Sequence, residues 1–232
     1  MEIEVAVAKV SKWGHRESGD TLEMIERPHG GISFVLADGQ SSGRAAKAIS
    51  HLVARKAIAE LAEGVRDGAA ARAAHDYLYT HKGGKVSATL NILSVDLVSR
   101  TLVLSRNSPC PIVVLADGRL QLLDEPVEPI GVRRGTKPRI SELPLSAGTT
   151  VVVYTDGLEN AGARSTRVFD VPAAVQELAV NDATAQRIAD GLLERAIALD
   201  EGRPRDDISV LVLCVLERSG DDVRRLALRL PM

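Results

Sequence analysis

The sequence is poor in aromatic residues and in cysteine, and it has no excess of one charge. Phe, Trp and Tyr make up 3% of the 232 residues, which argues against nucleic-acid-binding modules that stack bases on exposed rings. A formal net charge of -2 provides no basic face for nucleic acid. Cys110 and Cys214 lie in apolar stretches without a CxxC spacing, so buried free thiols are favoured over a disulfide or zinc ligands. The sequence therefore predicts no nucleic-acid partner and a reducing compartment.

Long apolar runs are also missing. No run approaches the roughly 18 apolar residues of a membrane helix, and the first residues lack the pattern of a signal peptide. A cytoplasmic protein without a membrane partner is expected. The length, with 45% apolar and 26% charged residues, predicts a single domain over residues 1–232, expected to be a monomer.

The first third of the chain changes from a strand pattern to a helix pattern. Alternating apolar residues predict strands at 3–10, 22–26 and 32–37, the last two joined by a hairpin at 28–31. From residue 44 the apolar spacing becomes helical. It predicts a helix to about Glu63, capped by Ser41 or Ser42 and closed by Gly64. A second helix follows over 65–81 and ends at Gly83-Gly84.

Strand patterns then return. Six are predicted, at 86–95, 100–106, 112–116, 120–123, 139–143 and 149–154, with an exposed loop over 124–138. A helix over 183–200, a strand after Asp206 and a final strand over Val223–Leu230 complete the chain. This order lacks the βαβ alternation of a Rossmann domain. It predicts an α+β fold in which two antiparallel sheets form a sandwich covered by helices.

Two apolar runs end in the same dipeptide, Asp38-Gly39 and Asp156-Gly157, and a third run begins after Asp206-Asp207. Carboxylates at the ends of rigid strands provide the oxygen ligands that Mg²⁺ and Mn²⁺ prefer. An Asp-Gly pair is by itself weak evidence, because it is also the commonest hairpin turn. Asp117-Gly118, between two short apolar runs, is assigned as such a turn. Asp38-Gly39 and Asp156-Gly157 differ, because no apolar strand returns directly after them.

The combination of motifs resembles the metal-dependent protein phosphatase family related to protein phosphatase 2C, in the bacterial branch that includes SpoIIE and RsbX. The matching segments extend over nearly the whole chain. They are Ser18-Gly19-Asp20, Ala37-Asp38-Gly39 with Ser42-Gly43, Tyr154-Thr155-Asp156-Gly157 and Asp206-Asp207-Ile208-Ser209-Val210. The resemblance implies a four-layer α/β/β/α sandwich, with two antiparallel sheets between helix pairs and a two-metal centre at one end.

The resemblance also implies a role for each acidic residue. Asp38 would bridge two Mn²⁺ or Mg²⁺ ions, and Gly39 would offer its carbonyl oxygen. Asp156 and Asp206 would complete the shell of one ion, and Asp20 would serve the other. Asp207 is expected to support the site rather than to bind metal. No arginine aligns convincingly with the one that holds the substrate phosphate in eukaryotic relatives.

The implied reaction is hydrolysis of phosphoserine or phosphothreonine by a metal-activated water. Two ions can lower the pKa of that water and neutralise charge on the leaving oxygen, so Asp38, Asp156 and Asp206 would act through metal without a protein nucleophile. The five histidines show no HxH or HExxH pairing, which argues against a zinc hydrolase. Two other classes stay open. A non-catalytic pseudophosphatase could bind phosphoproteins in a partner switch, and a metal nuclease would need a basic track that the charge balance does not show.

The motifs leave little sequence outside the implied catalytic domain, and no sensor domain is expected. In this the chain is most similar to RsbX, which acts on phosphorylated STAS-domain proteins of the stressosome. A phosphorylated STAS-domain protein is therefore the expected substrate and partner. The helical hairpin over 44–81 follows Asp38-Gly39 directly, so it is expected either to gate the metal ligands or to be a static packing layer.

Overall fold

Over the residues that the structure, a computed structural model, describes (1–28, 30–163, 169–180, 183–217 and 220–229), ten strands form two five-stranded sheets. The first sheet has the order β1 (Glu2–Val10), β10 (Ile208–Leu216), β9 (Thr150–Tyr154), β6 (Ile112–Ala116) and β7 (Arg119–Leu123). The second has the order β2 (Asp20–Glu26), β3 (Ile32–Gly39), β4 (Ala88–Asp96), β5 (Thr101–Asn107) and β8 (Arg139–Pro144). Every pairing between these strands is antiparallel.

Helices cover the outer face of each sheet. Helices α1 (Gly43–Ala62) and α2 (Asp67–Lys82) pack on the second sheet. Helices α4 (Val171–Leu178) and α5 (Ala185–Leu199), with the one-turn helix α3 (Asp156–Glu159), pack on the first. The predicted α+β, four-layer sandwich is confirmed.

The central strands are apolar on both faces because both faces are covered. In β3, Phe34 and Leu36 point between the sheets, whereas Val35 and Ala37 pack against α1 and α2. Strand β10 repeats this division, with alternate residues in the inter-sheet core and in the core under α5. Successive strand residues point to opposite faces, so a strand covered on both sides reads as a continuous apolar run.

Several predicted boundaries hold and others do not. Gly83 caps the C-terminus of α2 directly after Lys82, and its φ of 62° is left-handed, as expected for a glycine at a helix end. Ser42 occupies the N-cap position of α1, as predicted, but its side chain makes no capping hydrogen bond. Helices α3 and α4 were not predicted, because one and two turns are too short for a clear helical period.

The predicted final strand over Val223–Leu230 is wrong. Residues 220–229 form neither helix nor strand, and Leu226 and Leu228 are largely exposed. Both edges of β10 are already paired with β1 and β9, so a returning strand has no adjacent edge there. Leu230, and His29 of the predicted hairpin, lie outside the described residues. In the described part of the chain, none of the helices is long and apolar enough to traverse a bilayer.

Candidate metal centre

Asp20 and Asp38 lie directly opposite each other on neighbouring strands. The antiparallel register of β2 and β3 pairs Asp20 with Asp38, at the start of one strand and near the end of the other. Asp20 is almost completely buried, whereas Asp38 is partly exposed. Two carboxylates that are 18 residues apart in sequence are therefore neighbours in the second sheet.

The first sheet brings two further aspartates to the same place. Asp156 follows β9 and Asp206 precedes β10, and these strands are paired with Tyr154 opposite Val210. Asp38, Gly39, Asp156 and Asp206 together line one cleft of about 390 Å³. Residues from three separate motifs thus meet where the ends of the two sheets come together.

Other cleft residues come from the loops around these strand ends and from the start of β4. They are Lys12, Gln40, Ser41, Ser42, Ser87, Ala88, Thr89, Pro109 and Pro129. Lys12 is the only cationic residue in the described lining. It provides a positive charge beside three carboxylates, at the mouth of the first sheet.

Crowding of the carboxylates changes their affinity for protons. Burial, followed by the charges of Asp20 and Asp156, raises the pKa of Asp38 to about 9. Burial, followed by the charges of Asp206 and Asp20, raises the pKa of Asp156 to about 6. A divalent cation would reverse this effect, because it stabilises the ionised carboxylates.

Asp20 has one satisfied and one unsatisfied oxygen. Its Oδ2 accepts hydrogen bonds from Ser209 Oγ at 2.6 Å and from Thr155 Oγ1 at 3.0 Å. Burial nevertheless raises the pKa of Asp20, against the opposing effect of these hydrogen bonds. Its Oδ1 is buried without a hydrogen-bond partner among the described residues. A buried carboxylate oxygen destabilises the folded state unless a hydrogen-bond donor or a cation pairs with it.

This donor set fits a hard divalent cation. The donors are the carboxylates that line the cleft, and the orphan Oδ1 of Asp20 adds one buried acceptor. No three His, Cys, Asp or Glu side chains of the described ranges are placed to hold an ion by themselves. Mg²⁺ keeps several waters and needs only one or two direct carboxylates, so the arrangement suits an ion that stays partly hydrated.

Comparison with known proteins identifies the family and the fold. The family model for stage II sporulation protein E (SpoIIE) matches residues 28–216, which is most of the chain. The chain belongs to the SpoIIE family. No curated protein sequence matches it significantly.

Solved structures show the same fold for this SpoIIE-family domain. The PP2C phosphatase domain of SpoIIE from Bacillus subtilis, with a fragment of its regulatory domain, superposes with a TM-score of 0.79 at 21% identity, covering 93% of this chain and 64% of that one. The chain thus spans less than two thirds of that structure. The RsbU and RsbW domains of Rv1364c from Mycobacterium tuberculosis give 0.73 at 20% identity, covering 94% and 61%.

A third structure contains metal. The catalytic domain of the serine/threonine phosphatase PstP, in complex with two manganese ions, gives a TM-score of 0.68 at 19% identity and covers 93% of this chain and 99% of that one. The family model confirms the predicted phosphatase family in its SpoIIE branch, and the shared fold agrees with it. The narrower resemblance to a stand-alone RsbX stays a prediction.

In this SpoIIE-family domain, both carboxylate oxygens of Asp207 accept hydrogen bonds from backbone N–H groups. Its Oδ1 accepts from Lys12 N at 3.0 Å and its Oδ2 from Gly19 N at 2.8 Å. Asp207 therefore ties the loop before β2 to the start of β10. This agrees with the supporting role expected for Asp207, next to Asp206 in the cleft.

Close packing explains the glycines after Asp38 and Asp156. A Cβ on Gly39 would lie 2.1 Å from Ala46 O, and a Cβ on Gly157 would lie 2.2 Å from Asp207 O. Gly118, in contrast, has no heavy atom within 4 Å of its Cβ position and a φ of 70°. Asp117-Gly118 joins β6 to β7, so its predicted turn is confirmed.

The sequence did not predict that two lysines contact Asp20. Lys9 Nζ and Lys47 Nζ donate to the carbonyl oxygen of Asp20 at 2.6 and 2.7 Å. Lys9 interrupts an otherwise apolar end of β1, which was the one available signal. Only the packing of β1 and α1 around β2 brings the two ammonium groups together.

Proposed function

We propose that this chain is a metal-dependent protein phosphatase that hydrolyses phosphoserine or phosphothreonine. The observation that carries the proposal is the cleft in which Asp38, Gly39, Asp156 and Asp206 meet. Membership of the SpoIIE family and the fold shared with manganese-bound PstP support it. The domain is proposed to extend over residues 1–232 and to work in the cytoplasm as a monomer.

The proposed ligands are Asp20, Asp38, Gly39, Asp156 and Asp206. When bound, two Mn²⁺ or Mg²⁺ ions would supply an activated water and neutralise charge on the phosphate and the leaving oxygen. The chain holds the carboxylates in place. Ser209 and Thr155 fix one oxygen of Asp20 and leave the other free to bind.

Lys12 is proposed to attract the substrate phosphate. Lys12 lines the cleft, and no ion pair joins it to another described residue. An ammonium group at the mouth of an acidic cleft offsets the repulsion that a phosphate dianion meets on approach. It would take the part of the phosphate-binding arginine that the sequence lacks.

The proposed substrate is a phosphorylated STAS-domain protein. Two relatives of the same fold support this class. One is described in the context of the bacterial stressosome and has a TM-score of 0.68 at 17% identity. The other joins RsbU and RsbW domains in one protein. Gating by the α1–α2 hairpin stays a prediction, although Ala46 of α1 lies against both Gly19 and Gly39.

The test is a Mn²⁺ titration of purified protein with an aryl phosphate. We expect phosphate release that saturates with Mn²⁺ and that Asp38→Asn abolishes. No release at any Mn²⁺ concentration, together with binding of phosphoproteins, would identify a pseudophosphatase instead. Phosphorylated STAS-domain proteins are then compared with generic phosphopeptides. Release from the peptides alone would contradict the proposed substrate.

A further inference from the structure

A second and larger groove lies beside the metal cleft. It has a volume of about 600 Å³, within the usual range for ligand sites. We call it the Trp13 groove. Its lining residues are Lys12, Trp13, Asp200, Glu201, Arg203, Pro204 and Arg205. Lys12 also lines the metal cleft, and Arg205 directly precedes Asp206, so the groove and the cleft border each other at Lys12.

The only tryptophan of the chain forms one wall of the groove. Trp13 is 63% exposed, although indole rings are usually buried. Its backbone N donates to Pro204 O at 2.7 Å, which holds the backbone at Trp13 beside the 200–205 loop. The guanidinium carbon of Arg203 lies 5.6 Å from the ring centroid. This cation–π contact holds a planar guanidinium at the surface with its N–H edge free to donate.

The charges of the groove favour an acidic ligand. Three cationic residues face two acidic ones in its lining. Asp200 is buried, and it is engaged by Arg205, whose backbone N donates to Oδ2 at 3.1 Å and whose Nε lies 3.4 Å from Oδ1. Neither Lys12 nor Arg203 forms an ion pair with a described residue. Lys12 also faces the carboxylates of the metal cleft, so Arg203 is the cation that the groove itself leaves without an ion pair, and Glu201 is the exposed acid of the groove lining.

We propose that the Trp13 groove binds an acidic segment of the phosphoprotein substrate, next to the residue that is dephosphorylated. This inference rests on the proposed function and names a sequence feature of its substrate. A guanidinium supported by an aromatic ring can form paired hydrogen bonds with a carboxylate. Lys12, shared with the cleft, would then lie between the acidic segment and the phosphate.

The test uses the fluorescence of Trp13, which reports on the groove without requiring hydrolysis. The full-length protein in EDTA is titrated with a short unphosphorylated peptide rich in Asp and Glu, and with the same peptide carrying Asn and Gln. We expect a saturable change with the acidic peptide only, weakened by salt. Equal responses to both peptides, or no response to either, would overturn the proposal.

Arg203→Gln is the informative variant, and Arg187→Gln is its control. Arg187 is exposed at the other end of α5, roughly 20 Å from the groove at a rise of about 1.5 Å per residue. We expect Arg203→Gln to weaken the binding of the acidic peptide about five-fold, because one exposed charge contact is lost. Arg187→Gln should change nothing. Unchanged affinity in Arg203→Gln would contradict the assignment.

An activity measurement separates this inference from the proposed function. The kcat/KM for phosphopeptides with acidic flanks is divided by that for neutral flanks. We expect the ratio to exceed one in the parent protein and to fall about five-fold in Arg203→Gln. If neither phosphopeptide is hydrolysed, the proposed function fails, and the fluorescence titration still decides the groove. If both are hydrolysed equally, the groove proposal alone fails.

Discussion

Asp38→Asn should stabilise the metal-free protein while removing its response to metal. The pKa of Asp38 is raised from 3.8 to about 9 by burial and by the neighbouring carboxylates. Because the folded state holds this proton more tightly than the unfolded state, the contribution of Asp38 to stability is complete below pH 3.8. It is lost as the pH rises toward 9.

The size of the effect follows from the pKa difference. Between pH 3.8 and neutral pH, Asp38 ionises in the unfolded chain but stays protonated in the folded one. At about 1.36 kcal/mol per pH unit, this lowers the free energy of unfolding by about 4 kcal/mol. Asparagine does not ionise, so Asp38→Asn removes this loss. For a domain of this length, about 4 kcal/mol corresponds to a rise in Tm of roughly 8–16 °C.

The assay is thermal unfolding in EDTA and in Mn²⁺, at about pH 5 and about pH 8. In EDTA we expect Asp38→Asn to unfold at a higher temperature than the parent, with the larger difference at the higher pH. In Mn²⁺ the parent should gain stability by ligand binding, whereas the variant should gain little.

Asp117→Asn is the matched control. Asp117 precedes a glycine as Asp38 does, but it is exposed in the β6–β7 turn with a left-handed φ of 50°, which asparagine tolerates. It should leave both melting curves unchanged. The reasoning is refuted if Asp38→Asn lowers the Tm in EDTA at the higher pH, or if it keeps the full Mn²⁺ response.

Three further substitutions test the parts of the centre separately. Gly39→Ala places a Cβ 2.1 Å from Ala46 O, and denaturant unfolding should show a loss of about 1–3 kcal/mol; an unchanged midpoint would mean that this contact relaxes freely. Ser209→Ala removes a hydrogen bond to Asp20, and calorimetry should show Mn²⁺ affinity reduced about tenfold or more. An unaltered affinity would separate Asp20 from the metal. Lys12→Ala should raise the KM for an aryl phosphate about five-fold with a smaller change in kcat, and an unchanged KM would exclude Lys12 from phosphate binding.

Much of the fold is encoded locally. Period-two and helical apolar patterns predict all ten described strands and the three long helices, because most of these elements are long enough to show their period. The prediction of a final strand was wrong because of the tertiary structure. Val223 to Leu230 alternates like a strand, but β10 has no free edge to pair with it. Alternation describes what a segment can bury, and pairing decides whether it becomes a strand.

The sequence by itself determined which carboxylates stand at strand ends, and three of them, Asp38, Asp156 and Asp206, do meet in one cleft. The residues that follow each pair also separated Asp38-Gly39 from the turn at Asp117-Gly118. Only the tertiary structure decided that a helix backbone packs against one glycine and solvent surrounds the other.

The sequence also could not predict contacts between residues that are distant in the chain. The hydrogen bonds to Asp20 from Ser209 and Lys9, and the contact of Trp13 with Arg203, join residues from opposite ends of the chain or from different layers. Local patterns specify what each residue prefers to bury or expose. Which charges, donors and rings become neighbours depends on how the two sheets and their helices pack.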